Sequence, residues 1–313
     1  MKRPRAIINV PASVRQRLYN RARAQGDDFN LILSRYAIER LLYRLSKSQY
    51  AGEFVLKGAQ LFYVWIAAPH RTTRDLDLLR YGAAALSELE TMFRNICGQP
   101  VAELDGIEFL AETVRGEEIR EQAEYRGARI RFAYRLGEAK GALQIDIGFG
   151  DVATPAPKFV NFPSLLDFPA PRLKAYQRET VVAEKFHALV ALGINNSRFK
   201  DFYDLFVLAK TFQFDGKPLS GAIQATFKRR KTALSTETPI ALSAAFAKDP
   251  NKQKQWRAFL MKNRVELARI DFVRVVETIR KFLLPPTMAL VQGQKFKYVW
   301  EPGGPWREEE HRI

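Results

Sequence analysis

The sequence contains little of what several large enzyme classes need. Its single cysteine, Cys97, excludes an internal disulfide and a cysteine-rich zinc cluster. Its three histidines, His70, His187 and His311, are far apart and indicate neither a metal triad nor an activated nucleophile. The longest apolar stretch near the centre, residues 61–68, falls short of the roughly 20 residues of a membrane-spanning helix. These absences predict a protein of the reducing cytoplasm without a membrane span.

Acidic residues are also in the minority. The chain has 50 Lys and Arg against 34 Asp and Glu, a formal net charge of +16 over 313 residues. A field of this sign attracts polyanions, although a generally basic surface has the same composition. A hydrophobic content of 47% supplies a large core, and the length is typical of two lobes. Composition therefore favours a nucleotide or nucleic-acid partner without locating a site.

Two aspartates in the segment 73–77 are the most informative feature. Side chains two residues apart project from the same face of a strand, so Asp75 and Asp77 are placed to hold Mg²⁺ between them. Upstream, residues 57–59 read as a strand-to-helix turn, with a helix from Gly58 to Ala67. Glycine there permits close backbone approach, and helix N–H groups can meet phosphate. The two segments indicate a triphosphate beside a metal.

A third carboxylate follows in another strand pattern. Apolar and polar side chains alternate over residues 143–149, which places Asp146 on the polar face of a half-buried strand. If this strand lies beside that of Asp75 and Asp77, three carboxylates converge, and their hard oxygen ligands suit Mg²⁺ or Mn²⁺. Such an arrangement outlines a two-metal site.

The alternating segment 129–136 is predicted to form a hairpin with the Asp146 strand through a turn at 137–140. Its polar face carries Arg129, Arg131 and Arg135. These arginines either neighbour the carboxylates or lie on exposed sheet surface, and the pattern does not decide between the two.

Two helices are predicted at the N-terminus, over residues 11–24 and 27–47, separated by Gly26. The second helix has a wide apolar face and a basic stripe at i, i+4, i+7 spacing. The stripe is either solvated surface, the commoner case, or a contact for RNA. Its members are Arg40, Arg44 and Lys47.

After a proline-containing connector over residues 154–171 the pattern becomes helical, which places a lobe boundary near Leu166 and predicts domains 1–165 and 166–313. Two helices of the second lobe would let Lys185 face Asp201. The lysine is able to neutralise triphosphate charge while the aspartate orients either that lysine or the acceptor. A structural ion pair between adjacent helices is the alternative.

In their order and spacing, several short segments together resemble the AbiEii/AbiGii toxin family of nucleotidyltransferases. The resemblance extends from about Val14 to Phe282. One departure is Gly58-Ala59, where many family members have Gly-Gly or Gly-Ser, so a hydroxyl is missing there. The segments are residues 57–59, 73–77, 144–151, 183–185 and 197–205.

The resemblance implies an α+β fold, with N-terminal helices, a polymerase-β-like nucleotidyltransferase core with a mixed sheet, and a helical C-terminal lobe. It also implies the toxin half of a bacterial toxin–antitoxin pair, often linked to phage defence, that transfers NMP from an NTP. The leading acceptor is the tRNA 3′ end, and Mg²⁺ or Mn²⁺ is expected. The expected catalytic residues are Asp75, Asp77, Asp146, Lys185 and Asp201, the first three as metal ligands; the expected nucleotide contacts are Lys57, Gly58, Ala59, Thr73, Arg74 and Lys185.

Two other functions remain open from sequence. The same centre is able to nucleotidylate a protein or small-molecule hydroxyl, or the chain is a non-catalytic module that binds RNA or an antitoxin. For a tRNA backbone, the candidate contacts are the basic stripe and a second cluster, and an acidic antitoxin could use the same surface. The second cluster consists of Lys228, Arg229, Arg230 and Lys231.

Overall fold

The computed structural model describes residues 9–66, 71, 73–82, 84–122, 125–151, 153–263 and 270–309. The chain divides into two compact units, the first containing the residues up to Gly150 and 158–175, the second 151–157 and the residues from Tyr176 onward. The first unit thus runs past the lobe boundary predicted near Leu166, because a strand that ends at Ala175 belongs to its sheet.

The first unit begins with two helices, at the places the sequence predicts: α1 (Val10–Gln25) and α2 (Phe29–Lys47). The Asp28 side chain caps α2 by accepting a hydrogen bond from the Leu31 backbone N–H at 3.0 Å. Gly26 ends α1 in the left-handed conformation, with φ of 68°. Two further helices are α3 (Leu61–Trp65) and α4 (Leu86–Cys97).

A mixed sheet organises the first unit, in the order β3-β5-β6-β2-β1-β8-β7, with β4 also paired to β5. β2 and β6 are parallel, as are β1 and β8, while β1 and β2 are antiparallel. The predicted α+β class with a mixed sheet is confirmed. The strands are β1 (Phe54–Lys57), β2 (Leu76–Arg80), β3 (Ile107–Phe109), β4 (Arg115–Gln122), β5 (Tyr125–Leu136), β6 (Ala139–Phe149), β7 (Lys158–Asn161) and β8 (Arg172–Ala175).

One face of this sheet is apolar and packs against the helices. Leu56, Leu78 and Ile147 are register partners on β1, β2 and β6, and each is at most 1% exposed. The ring of Phe54 packs edge-on against Phe93 of α4. Since side chains alternate along a strand, the residues next to these project from the opposite face.

The second unit is mostly helical, as predicted. Proline lies inside its last long helix at positions 285 and 286. Among the described residues of this unit, no helix is both long and apolar enough to span a membrane, and the same holds for the first unit. The helices are α5 (Arg178–Leu192), α6 (Phe199–Thr211), α7 (Gly216–Arg229), α8 (Ala244–Lys248), α9 (Pro250–Lys262) and α10 (Phe272–Val291).

A small sheet of β9 (Phe214–Asp215), β10 (Tyr298–Trp300) and β11 (Trp306–Glu308) completes the second unit, where the sequence predicts helices alone. The indole N–H of Trp300 donates to the Ala209 carbonyl at 2.7 Å, and Trp306 stacks on Phe282 of α10. These strands are two or three residues long, too short for a periodic signal.

Candidate active site

The strand register places four charged residues in one row across the sheet. Asp77 on β2 lies directly opposite Lys57 on β1 and, on its other side, opposite Asp146 on β6. Arg129 on β5 is in turn the partner of Asp146. Register partners project from the same face, so two adjacent carboxylates are flanked by a cation on either side. The Asp77 and Asp146 strands are therefore neighbours, the condition on which a shared site depends.

Arg129 holds the Asp146 carboxylate at two points. Its Nε donates to Oδ1 at 2.7 Å and its Nη2 donates to Oδ2 at 2.8 Å. The hydrogen bond to Asp146 is the main cause of a raised pKa of Arg129, with smaller contributions from the charges of Glu117 and Asp75. Of the two alternatives for Arg129, the structure supports proximity to the carboxylates.

Arg131 and Arg135, the other two arginines of the predicted polar face, are exposed. Arg135 forms a two-point pair with Glu108 at 2.6 and 2.8 Å. Arg131 donates to Gln144 at 3.1 Å and pairs with Glu117 at 2.9 Å. Of the two alternatives, the structure therefore supports exposed sheet surface for Arg131 and Arg135.

Asp75 comes immediately before β2, and its side chain is exposed. Its backbone carbonyl accepts a hydrogen bond from Nε2 of Gln60 at 3.0 Å, and Gln60 is only 1% exposed. This bond ties the start of β2 to the turn that follows β1. Sequence reasoning missed Gln60, which lies one residue beyond the segment 57–59; a buried amide has no periodic signature.

Gly58 lies against Asp77. It begins a 3₁₀ turn, Gly58–Gln60, which continues into α3, while Ala67 of the predicted helix lies outside the described residues. Its φ is +73°, and a Cβ built on it would overlap the Asp77 carboxylate. Both the backbone conformation and the space require glycine here.

The row suits a divalent cation in donor type and placement. Asp77 and Asp146 offer carboxylate oxygens from one face of adjacent strands, and these are the ligands Mg²⁺ and Mn²⁺ prefer. Across the described ranges, however, no three Asp, Glu, His or Cys side chains gather as a ready-made cation site. Asp146 is engaged by Arg129 instead. The role of Asp75 as a third ligand stays a prediction.

In the second unit, Lys185 of α5 lies between two buried carboxylates of α6. Its Nζ is 2.7 Å from Oδ1 of Asp201 and 2.7 Å from Oδ2 of Asp204, and both aspartates are at most 1% exposed. Arg198 pairs with the other oxygen of Asp201 at 2.8 Å. The predicted facing of Lys185 and Asp201 is confirmed, and Asp204 is a second partner that was not singled out.

His187, two residues further along α5, is buried and neutral. It lies between Thr232 Oγ1, at 2.8 Å from Nε2, and Arg230 Nη1, at 3.2 Å from Nδ1. Burial and the Arg230 charge lower its pKa to about 4. Because the guanidinium can only donate, Nδ1 accepts and Nε2 carries the proton. These contacts fit a packing residue; His70 and His311 lie outside the described residues.

The predicted basic stripe of α2 is wrong as a surface feature for two of its three members, because they are buried. Arg40 is 1% exposed and donates to the Pro169 carbonyl at 2.7 Å. Arg44 is 6% exposed and forms a two-point pair with Asp105 at 2.7 and 3.0 Å. Only Lys47 of the three is exposed. Helical spacing puts the three on one stripe, but Arg40 and Arg44 face Pro169 and Asp105 rather than solvent.

The second basic cluster is divided. Lys228, Arg229 and Lys231 are exposed at the end of α7. Arg230 is turned inward, toward His187 and Asp151, and its side chain is 13% exposed. Three of the four predicted RNA contacts here are therefore at the surface, and Arg230 is not.

The remaining predicted nucleotide contacts surround the start of β2 or the turn after β1. Lys57 and Ala59 are each 7% exposed. Thr73 is half-buried, and Arg74 is exposed with its Nη2 at 3.9 Å from an Asp28 carboxylate oxygen. Thr72 lies outside the described residues.

Adjacent carboxylates are the ligands that Mg²⁺ prefers, and two-metal sites with such cations serve enzymes that act on phosphate esters, such as polymerases. A protein-family profile described as "Nucleotidyl transferase AbiEii toxin, Type IV TA system" matches residues 40–278, about three quarters of the chain. The chain belongs to this family of toxin nucleotidyltransferases, which implies an NTP substrate and an antitoxin partner. No curated protein matches its sequence.

Two solved structures from Helicobacter pylori are similar. One is a candidate nucleotidyltransferase, at 12% identity and a TM-score of 0.50, covering 86% of this chain and all of the other. The other is JHP933, at 13% identity and a TM-score of 0.49, covering 85% of this chain and 98% of the other. At this identity the first likeness concerns the fold alone.

Proposed function

We propose that this toxin transfers a nucleoside monophosphate from an NTP to a hydroxyl of an RNA, with the tRNA 3′ end as the leading acceptor, and so blocks translation. The observation that carries the proposal is the side-by-side placement of Asp77 and Asp146 on one sheet face. Gly58 has no Cβ, and a Cβ at this position would overlap the Asp77 carboxylate. The acceptor oxygen attacks the α-phosphorus, the bond to the bridging oxygen breaks, and pyrophosphate leaves.

Asp75, Asp77 and Asp146 are the residues that would hold Mg²⁺ or Mn²⁺. When bound, such a cation stabilises charge on the triphosphate and acidifies a hydroxyl. We propose Asp146 as the general base that takes the proton of the acceptor hydroxyl. Both Asp146 oxygens accept hydrogen bonds from Arg129, so these roles require that pair to open, and the guanidinium would then be available to a phosphate.

Phosphate binding falls to groups around the turn after β1. Backbone N–H groups of the 3₁₀ turn Gly58–Gln60, together with Lys57, are positioned beside Asp77. Arg74 and the Thr73 hydroxyl are the proposed contacts before β2. For Lys185 we propose a phosphate contact oriented by Asp201 and Asp204, since two buried carboxylates fix its ammonium in place.

The acceptor is tested by incubating the protein with each α-³²P-labelled NTP, Mg²⁺ and total tRNA. We expect label on tRNA with one or a few nucleotides. Pretreating the tRNA to block its 3′ hydroxyl should abolish labelling. Label on protein alone would replace RNA with a protein acceptor, and label nowhere, from folded protein supplied with each divalent metal, would contradict nucleotidyl transfer.

A further inference from the structure

The edge of the large sheet carries an exposed aromatic ring among cations. Phe159 on β7 is 59% exposed. The guanidinium carbon of Arg172 lies 5.1 Å from the ring centroid, and Nζ of Lys174 lies 6.0 Å from it. Phe159 and Lys174 are register partners on β7 and β8, and Arg172 is two residues before Lys174, so all three project from one face.

That face is the one that carries the carboxylates. Ala175 of β8 is the register partner of Leu56 on β1, and both are buried against the helices. Their neighbours Lys174 and Lys57 therefore project from the opposite face. Because Lys57 stands in the row with Asp77, the aromatic edge and the candidate active site lie on the same face of a single sheet. Val55 and Leu79, which lie on that face of β1 and β2, are fully buried.

The distance between Phe159 and Asp77 suits the single-stranded end of an RNA. From β2 to β7 there are three strand steps, through β1 and β8, so Phe159 lies on the order of 15 Å from Asp77. A few nucleotides of single strand span such a distance. A large apolar ring at an exposed sheet edge otherwise invites aggregation, yet here it is ringed by positive charge and carries no acidic neighbour on β7 or β8.

We propose that Phe159, Arg172 and Lys174 form a platform for the single-stranded end of the RNA acceptor. A base stacks on the free face of Phe159, and the two cations contact flanking phosphates. Stacking tolerates any base, so the platform positions the strand without reading sequence. This inference rests on the proposed function and adds a surface that holds the single strand of the acceptor on the same sheet face as Asp146.

The test measures binding of fluorescein-labelled single-stranded oligouridylate by anisotropy, beside an RNA duplex of equal length. Phe159→Ala should weaken single-strand binding about fivefold or more and leave duplex binding little changed, whereas Phe159→Trp should retain it. Arg172→Gln with Lys174→Gln should reduce the salt slope by roughly 1.4, about 0.7 for each phosphate that the variant no longer neutralises. Tyr19→Ala, an exposed aromatic on α1 (45% exposed), is the matched control and should behave as wild type.

The outcomes separate this platform from the proposed function. If wild type labels tRNA and Phe159→Ala binds single strands as tightly as wild type does, the platform is wrong and the transfer reaction stands. If wild type neither binds RNA nor labels it, the RNA acceptor fails as well. If Phe159→Ala loses affinity for the purified cognate antitoxin while RNA binding is intact, the surface is a protein interface and the platform is again wrong.

Discussion

At the scale of single residues, Gly58 determines whether Asp77 keeps its place. An added methyl group would overlap the Asp77 carboxylate, and φ of +73° is unfavourable for any side chain. We expect Gly58→Ala to reduce nucleotidyl transfer by about a hundredfold or more, since displacing a reacting group by about 1 Å has such an effect. The measurement is the initial rate of NMP transfer at saturating NTP.

Gly26 supplies the matched control. Its φ is +68°, but an added Cβ would meet nothing within 4 Å. Gly26→Ala should therefore share the backbone cost of about 1–2 kcal/mol and keep the transfer rate. Equal losses of activity in both variants would mean that strain alone, not the contact with Asp77, explains the effect.

We expect Arg129 to compete with a bound cation for Asp146. Replacing its guanidinium with an amide, Arg129→Gln, removes the two charge-assisted hydrogen bonds to that carboxylate. A hydrogen bond to a charged group contributes about 1.5–3 kcal/mol, so we expect Mn²⁺ to bind about tenfold more tightly in the absence of NTP. Isothermal titration calorimetry measures this affinity directly.

Arg131→Gln is the comparison for Arg129→Gln. Arg131 lies on the same strand face but contacts Gln144 and Glu117 rather than Asp146. Its replacement should change Mn²⁺ affinity less than twofold, because exposed ion pairs contribute little free energy. Weaker Mn²⁺ binding in Arg129→Gln would show that the arginine supports the cation site instead of competing for it.

At the scale of elements, α2 is anchored through Arg44. This side chain forms a buried two-point pair with Asp105, which is 2% exposed. Arg44→Met leaves Asp105 buried without its partner, and we expect the free energy of unfolding to fall by about 3–5 kcal/mol. Lys47→Met, one turn further along and exposed, should cost less than about 0.5 kcal/mol. Urea denaturation measures both, and equal costs would contradict a buried role for Arg44.

Much of the first unit follows from local sequence rules. Alternation over residues 129–136 and 143–149 predicts the β5–β6 hairpin, and Gly26 and Asp28 mark where α1 ends and α2 begins. The spacing of Asp75, Asp77 and Asp146 predicts carboxylates on strands, since period-two alternation is a strong signal. Which strands are neighbours requires the register, and only the structure places Asp77 beside Asp146.

What sequence does not give are partners distant along the chain. Helical spacing predicts Arg44 as part of a surface stripe, because it carries no information about the contact with Asp105, which lies 61 residues away. The buried Gln60 amide and the second carboxylate on Lys185, Asp204, are likewise tertiary features. In each case a single polar side chain is fixed by a contact that no periodicity encodes.

At the scale of the whole molecule, the net charge of +16 includes positive side chains that are buried and that an RNA cannot contact. Arg40, Arg44 and Lys185 are each engaged in buried contacts. Exposed positive charge remains at Lys47 and at the end of α7, and these are the proposed backbone contacts for tRNA outside the Phe159 platform. We therefore expect any RNA contact to use the exposed cations and not the buried ones.

The most direct measurement is the rate of NMP transfer in Asp77→Asn and in Asp146→Asn, each folded as wild type by circular dichroism. If the row across the sheet is the active site, both rates fall by about a hundredfold or more, while Asp215→Asn, an exposed aspartate on β9, stays within twofold of wild type. Rates near wild type in either of the first two variants would contradict the central claim that these adjacent carboxylates perform the reaction.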